Sequence, residues 1–137
     1  VKRWLLVAAL AVGVTAARQA DSLLDAAHRA AALWMRHDFA ALVGTGEAIM
    51  VHLPGAEPSS PLRPSQAAAL LRAFAEGAHE LDLTVLVVRN VDPDRAYVEA
   101  QRLYQVQGTE VQHTQTLYFG FRRVGPSYRL VEVRSLP

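Results

Sequence analysis

The sequence predicts an α+β domain, with N-terminal helices packed on a curved antiparallel sheet. Three observations predict it. Apolar residues recur at helical spacing through the first half, around Leu23–Trp34 and again around Ala67–Phe74. From His79 onward β-branched and aromatic residues dominate. Long alternating runs in that second half are separated only by short turns, at "DPDR", at Gly108 and at "VGPS". Helices followed by consecutive antiparallel strands define the class.

The elements follow in order. Lys2 and Arg3 precede an apolar run from Trp4 to Val14 and a small-residue exit at Thr15–Ala17. That order matches a secretory signal peptide, with Val14 and Ala16 suiting the cleavage positions. Residues 1–16 are therefore expected to be removed, leaving residues 17–137 as one α+β domain, periplasmic or extracellular. The run is shorter than the roughly 20 residues that span a bilayer, so no stable membrane anchor is expected after cleavage. In "DSLLDAAHRAAALWMRHD" the residues Leu23, Leu24, Ala27, Ala31 and Trp34 share a helical stripe, with Asp21 or Ser22 as the N-cap. "FAALVGTG" is a shorter helix that Asp38 could cap and that Gly44 and Gly46 stop.

Ile49, Val51 and Leu53 alternate with Met50 and His52, as in a strand with one buried face. "PGAEPSSPLRP" is a surface loop. Pro64 then opens the clearest helix, whose stripe is Ala67, Leu70, Leu71 and Phe74 and whose stop is Gly77. The strands "LDLTVLVVRNV", Tyr97–Gln107, Val111–Arg123 and Tyr128–Ser135 complete the chain. Trp34, Leu70, Phe74 and Val98 are expected between helices and sheet.

Composition narrows the function. The 137 residues are 51% hydrophobic and 20% charged, enough for one packed core. Without Lys2 and Arg3 the chain has 12 basic and 13 acidic residues, a net charge of −1. Nothing in that balance suits a phosphate backbone, so no nucleic-acid partner is expected. The chain has no cysteine, which excludes a thiol nucleophile and a Cys-based zinc site. The histidines fall in no HxH or HExxH spacing, and no nucleotide or nucleophile-elbow motif occurs; no metal, cofactor or catalytic residue is assigned.

"YVEAQRLYQVQGTEVQHTQTLYFGF" is the one stretch that offers a site. Tyr97, Glu99, Gln101, Leu103 and Gln105 share one face of its first half; His113, Gln115, Leu117 and Phe119 share one face of its second. This polar row either lines a cavity or is the wet face of the sheet, with Ala96, Val98, Ala100, Tyr104 and Val106 turned to the helices. The apolar set lies on even positions of one strand and odd positions of the next, so the pairing register decides. The row is expected to split, Glu99 at the rim or exposed and Gln115, Leu117 and Phe119 inside. The residues expected to line a ligand site are Trp34, Gln101, His113, Gln115, Leu117 and Phe119. A proton-transferring pair of Glu99 and His113 would instead make a small lyase or isomerase acting on a hydrophobic molecule.

The pieces "LWMRHDFAALV", "AIMVHLPG", "LRPSQAAALLRAFAEG" and "YRLVEVRS", in this order, resemble the nuclear transport factor 2-like superfamily, and its secreted bacterial members in particular. The resemblance implies a cone, in which a curled sheet encloses helices and leaves a pocket for a small hydrophobic ligand or a face for a protein partner. It also implies a homodimer through the sheet. The superfamily's enzymes place acids and bases in that pocket, but no such pair transfers to this chain, and a non-catalytic binding domain is the expectation.

Overall fold

The computed structural model describes residues 22–137; the expected leader, residues 1–16, lies outside the described residues. The elements are α1 (Leu23–Met35), α2 (Phe39–Val43), β1 (Met50–His52), α3 (Pro64–Ala75), β2 (Ala78–Asn90), β3 (Arg95–Val106), β4 (Gln112–Val124) and β5 (Ser127–Leu136). Local chemistry sets their ends. Ser22 Oγ accepts from the Asp25 N–H at 3.0 Å and caps α1. Asp38 Oδ1 accepts from the Ala41 N–H at 3.2 Å and caps α2. Asp92 Oδ1 gathers the N–H groups of Asp94 and Arg95, both at 2.8 Å, and so turns β2 into β3. Gly77, which ends α3, has φ +75°, a conformation that a Cβ disfavours.

The strands form one sheet in the order β1-β5-β4-β3-β2. It is mixed, because β1 runs parallel to β5, while every other pair is antiparallel. A three-residue strand carries no sequence signal that names its partner. Helices α1 and α2 pack over the inner face, and α3 packs on α2. The register settles the parity conflict between the long strands. Val98 faces Phe119 and Ala100 faces Leu117, all four buried on the inner face. Glu99 faces Tyr118 and Gln101 faces Thr116 on the outer face. The polar row is thus split as expected.

The helices sit rotated from the predicted stripes. In α1 the buried residues are Leu23, Ala26, Ala27, Ala30, Ala31 and Trp34, while Leu24 is 50% exposed. In α3 they are Ala67, Ala68, Leu71 and Ala75; Leu70 is 39% exposed and Phe74 half-buried. Alanine explains the rotation. A face of methyl groups lets a helix backbone approach its neighbour closely, and buried alanines make up most of that face in both helices.

β-Bulges bend the sheet. Register shifts fall between Glu80 and Asp82, between Val85 and Val87 in β2, and beside Gly120 where β4 meets β5. Each adds a residue and exchanges the faces beyond it. On the outer face the Tyr97 hydroxyl donates to Glu132 Oε2 at 3.1 Å. Burial first, and then the Glu132 carboxylate, push the Tyr97 phenol above its ordinary value of 10.0.

Two outcomes test this packing. Leu71→Ala should cost about 2–5 kcal/mol in urea unfolding, whereas Leu70→Ala should stay within about 0.5 kcal/mol; equal costs would place α3 in the other rotation. For Tyr97 the folded pKa lies above the unfolded one, so the folded state holds the proton more tightly. That contribution is full below pH 10.0 and is lost as pH rises through the folded value. Spectrophotometric titration should show Glu132→Gln lowering the Tyr97 pKa; an unchanged titration would remove Glu132 as a cause.

Candidate functional site

One arginine stands among the apolar inner positions of β3. Arg102 follows Ala96, Val98 and Ala100 at the same parity, and its side chain is 2% exposed. A buried guanidinium needs a partner. It has Glu80 of β2, whose side chain is also 2% exposed. Arg102 Nε donates to both carboxylate oxygens, at 3.1 and 2.9 Å, and Nη2 donates to Oε1. On its other side Nη1 donates to Gln115 Oε1 of β4 at 2.7 Å.

The bulge at Leu81 makes this pair. Glu80 is opposite Tyr104 and Leu83 is opposite Arg102, so an acid at an even position and a leucine at an odd one share the inner face. His37, which joins α1 to α2, completes the chain of contacts. Its φ of +53° is unusual for a residue with a Cβ, its ring stacks on Phe39, and its Nε2 lies 3.0 Å from Glu80 Oε1. The acid therefore meets an arginine and a histidine.

Aromatic rings enclose the guanidinium. Its Cζ lies 4.0 Å from the Tyr104 centroid, 5.3 Å from Trp34 and 5.5 Å from Phe74. Such a cage attracts cations, and here the chain's own arginine occupies it. Trp34 is the hub beneath, edge-on to Phe39 at 5.2 Å and to Phe119 at 6.2 Å. Its buried Nε1 has no hydrogen-bond partner. Above the guanidinium remains an open hollow of about 190 Å³, lined by Phe74, Gly77, Ala78, Arg102, Tyr104 and Gln115 among others. The Arg102 side chain fills the space between these rings.

The comparisons with known proteins bear on this arrangement. No family model and no curated protein matches the sequence. Solved structures do match. A ketosteroid isomerase-like protein from Erwinia carotovora atroseptica superposes with a TM-score of 0.63 at 16% identity, over 87% of this chain and 96% of that one. A nuclear transport factor 2-like protein with a cystatin-like fold from Novosphingobium aromaticivorans matches at 0.56 and 21% identity, over 81% and 76%. The chain has the nuclear transport factor 2-like fold. A third match, at 0.62 and 11% identity over 82% and 85%, is a protein of ketosteroid isomerase-like fold from Catenulispora acidiphila in complex with trimethylamine. Among the described residues of this cone, no group of three or more His, Cys, Asp or Glu could hold a metal ion. No described helix is long and apolar enough to cross a membrane.

The sequence-predicted residues are brought together only in part. Trp34, Leu117 and Phe119 are fully buried beneath the hollow. Gln115 binds Arg102 directly. His113 is exposed and stacks on Tyr104, centroids 5.4 Å apart. Gln101 stands apart, exposed on the outer face opposite Thr84 and Thr116. Glu99 shares that outer face, so the sheet lies between it and His113 and the two make no dyad. Sequence reasoning missed Arg102, Glu80 and His37. The signal for Arg102 was present, as the single charge at an inner parity; for Glu80 none was, because the bulge reverses its face.

Removing one partner of a buried ion pair leaves a bare charge. Glu80→Leu should destabilise by about 3–5 kcal/mol, and adding Arg102→Met should recover most of it. Urea unfolding of the two variants decides; a double variant no more stable than the single one would mean that Arg102 is held by its rings and Gln115 alone.

Proposed function

We propose that this protein is an exported, non-catalytic binding domain that takes a small ligand at the mouth of its cone. One observation carries the reading: Glu80, the buried acid beside Arg102, has both oxygens committed, and the acid that lines the hollow itself, Glu76, is exposed to solvent at the end of α3. Glu80 accepts from Arg102 on each oxygen and lies against His37 on one. A general base must reach a substrate proton, and this carboxylate offers none of its oxygens to the hollow. What faces the hollow can bind instead. Phe74 and Tyr104 provide apolar faces, and the amide of Gln115 provides donors beside its oxygen's bond to Arg102.

The ligand this suits is small and mainly apolar, with one acceptor group. A space of about 190 Å³ is below the roughly 300–1,000 Å³ of pockets that enclose drug-sized molecules. The amine bound by a protein of this fold supports the view that such cones take small ligands; here the aromatic cage already holds a cation. Export is supported by the pattern of residues 1–16, and N-terminal sequencing of secreted protein should begin near Ala17.

Benzamide is the probe of choice, a flat apolar ring with an uncharged acceptor. Saturable NMR shifts are expected at the Gln115 side-chain amide and at Tyr104, and they should vanish in Gln115→Leu. Shifts spread over the surface, or none, would overturn the reading. A homodimer through the outer face is the second reading, favoured by half-buried Tyr118 and exposed Val87 on that face. Sedimentation of the same sample, with Tyr118→Arg as control, reports on it directly.

A further inference from the structure

Three adjacent strands carry an arginine at one level of the outer face. Arg95 of β3 is directly opposite Arg122 of β4, and Arg122 is directly opposite Arg129 of β5. Side chains so placed start about 4.5–5.5 Å apart, and like charges there repel. Among the described residues the row has one ionic partner, Glu47, whose Oε1 lies 3.1 Å from Arg122 Nη2. Among the described residues neither Arg95 nor Arg129 is paired with an acid. A fold gains nothing from such a row by itself.

Beside the row lies a hollow of about 510 Å³, larger than the hollow at the mouth. Met50, Pro61 and Val131 give it apolar walls, and Arg95 and Arg122 stand at its edge. At Gly120 a Cβ would stand 3.0 Å from the Glu132 Cβ and 3.4 Å from the Tyr97 ring, so glycine is what lets those two side chains meet at the hollow's floor. Two acids also line the hollow, and each already has a donor: Glu47 has Arg122 and Glu132 has the Tyr97 hydroxyl. Of the charged residues that line the hollow, Arg95 is the one whose side chain is without an ion-pair or hydrogen-bonded partner among the described residues.

We propose that this hollow binds an amphiphile with a single carboxylate head and a short apolar body. The planar fork of a guanidinium matches a carboxylate with two parallel N–H donors, and Arg95 presents an unused one. The apolar body lies along Met50, Pro61 and Val131. Glu47 and Glu132 set the upper limit on charge, since a dianionic phosphate ester would face both, whereas a monoanion is offset by Arg95 with Arg122 beside it. The site is on the opposite face of the sheet from the cone mouth and stands without it.

Octanoate below its micellar concentration tests the proposal, with 1-octanol and octylamine as the neutral and cationic counterparts. Octanoate should give saturable NMR shifts at the amides of Tyr97, Gly120 and Val131 and leave Gln115 unmoved. It should bind at least tenfold more tightly than octanol, and more weakly as salt is raised. Arg95→Gln, an exposed substitution that spares the core, should weaken octanoate about tenfold and leave octanol unchanged. Equal binding of acid and alcohol would overturn the proposal, as would tighter binding of the amine. Shifts centred on Gln115 and Tyr104 would assign the amphiphile to the mouth instead, and absence of binding would remove the site.

Discussion

The inner face of this sheet is organised around one buried ion pair. Arg102 and Glu80 come from adjacent strands, each nearly without solvent, and their geometry is bidentate. Such a pair is a poor source of stability, because desolvating two charges cancels most of their attraction. What it constrains is register. Glu80 meets Arg102 only if β2 carries an extra residue at Leu81, and Gln115 meets Arg102 only if β4 pairs with Arg102 directly opposite Gln115. A slip of one residue in either ladder would leave a charge buried alone. The pair thus penalises wrong pairings more than it rewards the right one, in strands whose valines and leucines would tolerate several.

The same pair decides what the cone can contain. Trp34, Phe74 and Tyr104 are grouped as they would be around a cationic guest, yet the guanidinium between them is tethered to β3. Its charge is matched from within by Glu80, so the cage is occupied without a ligand. The rim, where Gln115 and the edges of Phe74 and Tyr104 meet solvent, retains unused capacity. The half-exposed His37 lies on the solvent side of Glu80 and joins the helical layer to the ion pair. An unusual backbone angle at a residue making that contact is consistent with local strain held by the surrounding packing.

Much of this was legible in the sequence, and the failures have a common cause. Turns, caps and strand parity were legible because each depends on a few local residues: Ser22, Asp38, Asp92 and the opposing apolar sets of β3 and β4. The split of the polar row followed from parity alone. Helix rotation was not legible, since Leu24 and Leu70 weigh more in a hydrophobic pattern than the alanines that actually make contact. Glu80 was hidden by a bulge, and bulges depend on the partner strand rather than on the strand that carries them. Arg102 could have been found. A charge in the middle of an inner-facing set either contradicts the strand or marks a buried partner, and the set around it was otherwise consistent.

The two faces of the sheet consequently answer to different requirements. On the inner face the Arg102 charge is compensated by Glu80, and aromatic rings pack around it. On the outer face Arg95, Arg122 and Arg129 oppose one another across strands that could have carried neutral residues at no cost to the core. Repulsion that packing does not require is informative only where the same residues border usable space, and here two of the three do. Gly120 supports the argument from another direction. It sits where most sheet positions carry a side chain, and its neighbours Tyr97 and Glu132 close over the place a Cβ would take. Glycine there lets Tyr97 and Glu132 meet, which keeps one acid of the hollow occupied, while Arg95 supplies its cation; replacing Arg95 removes that charge and leaves the hollow and the cone in place.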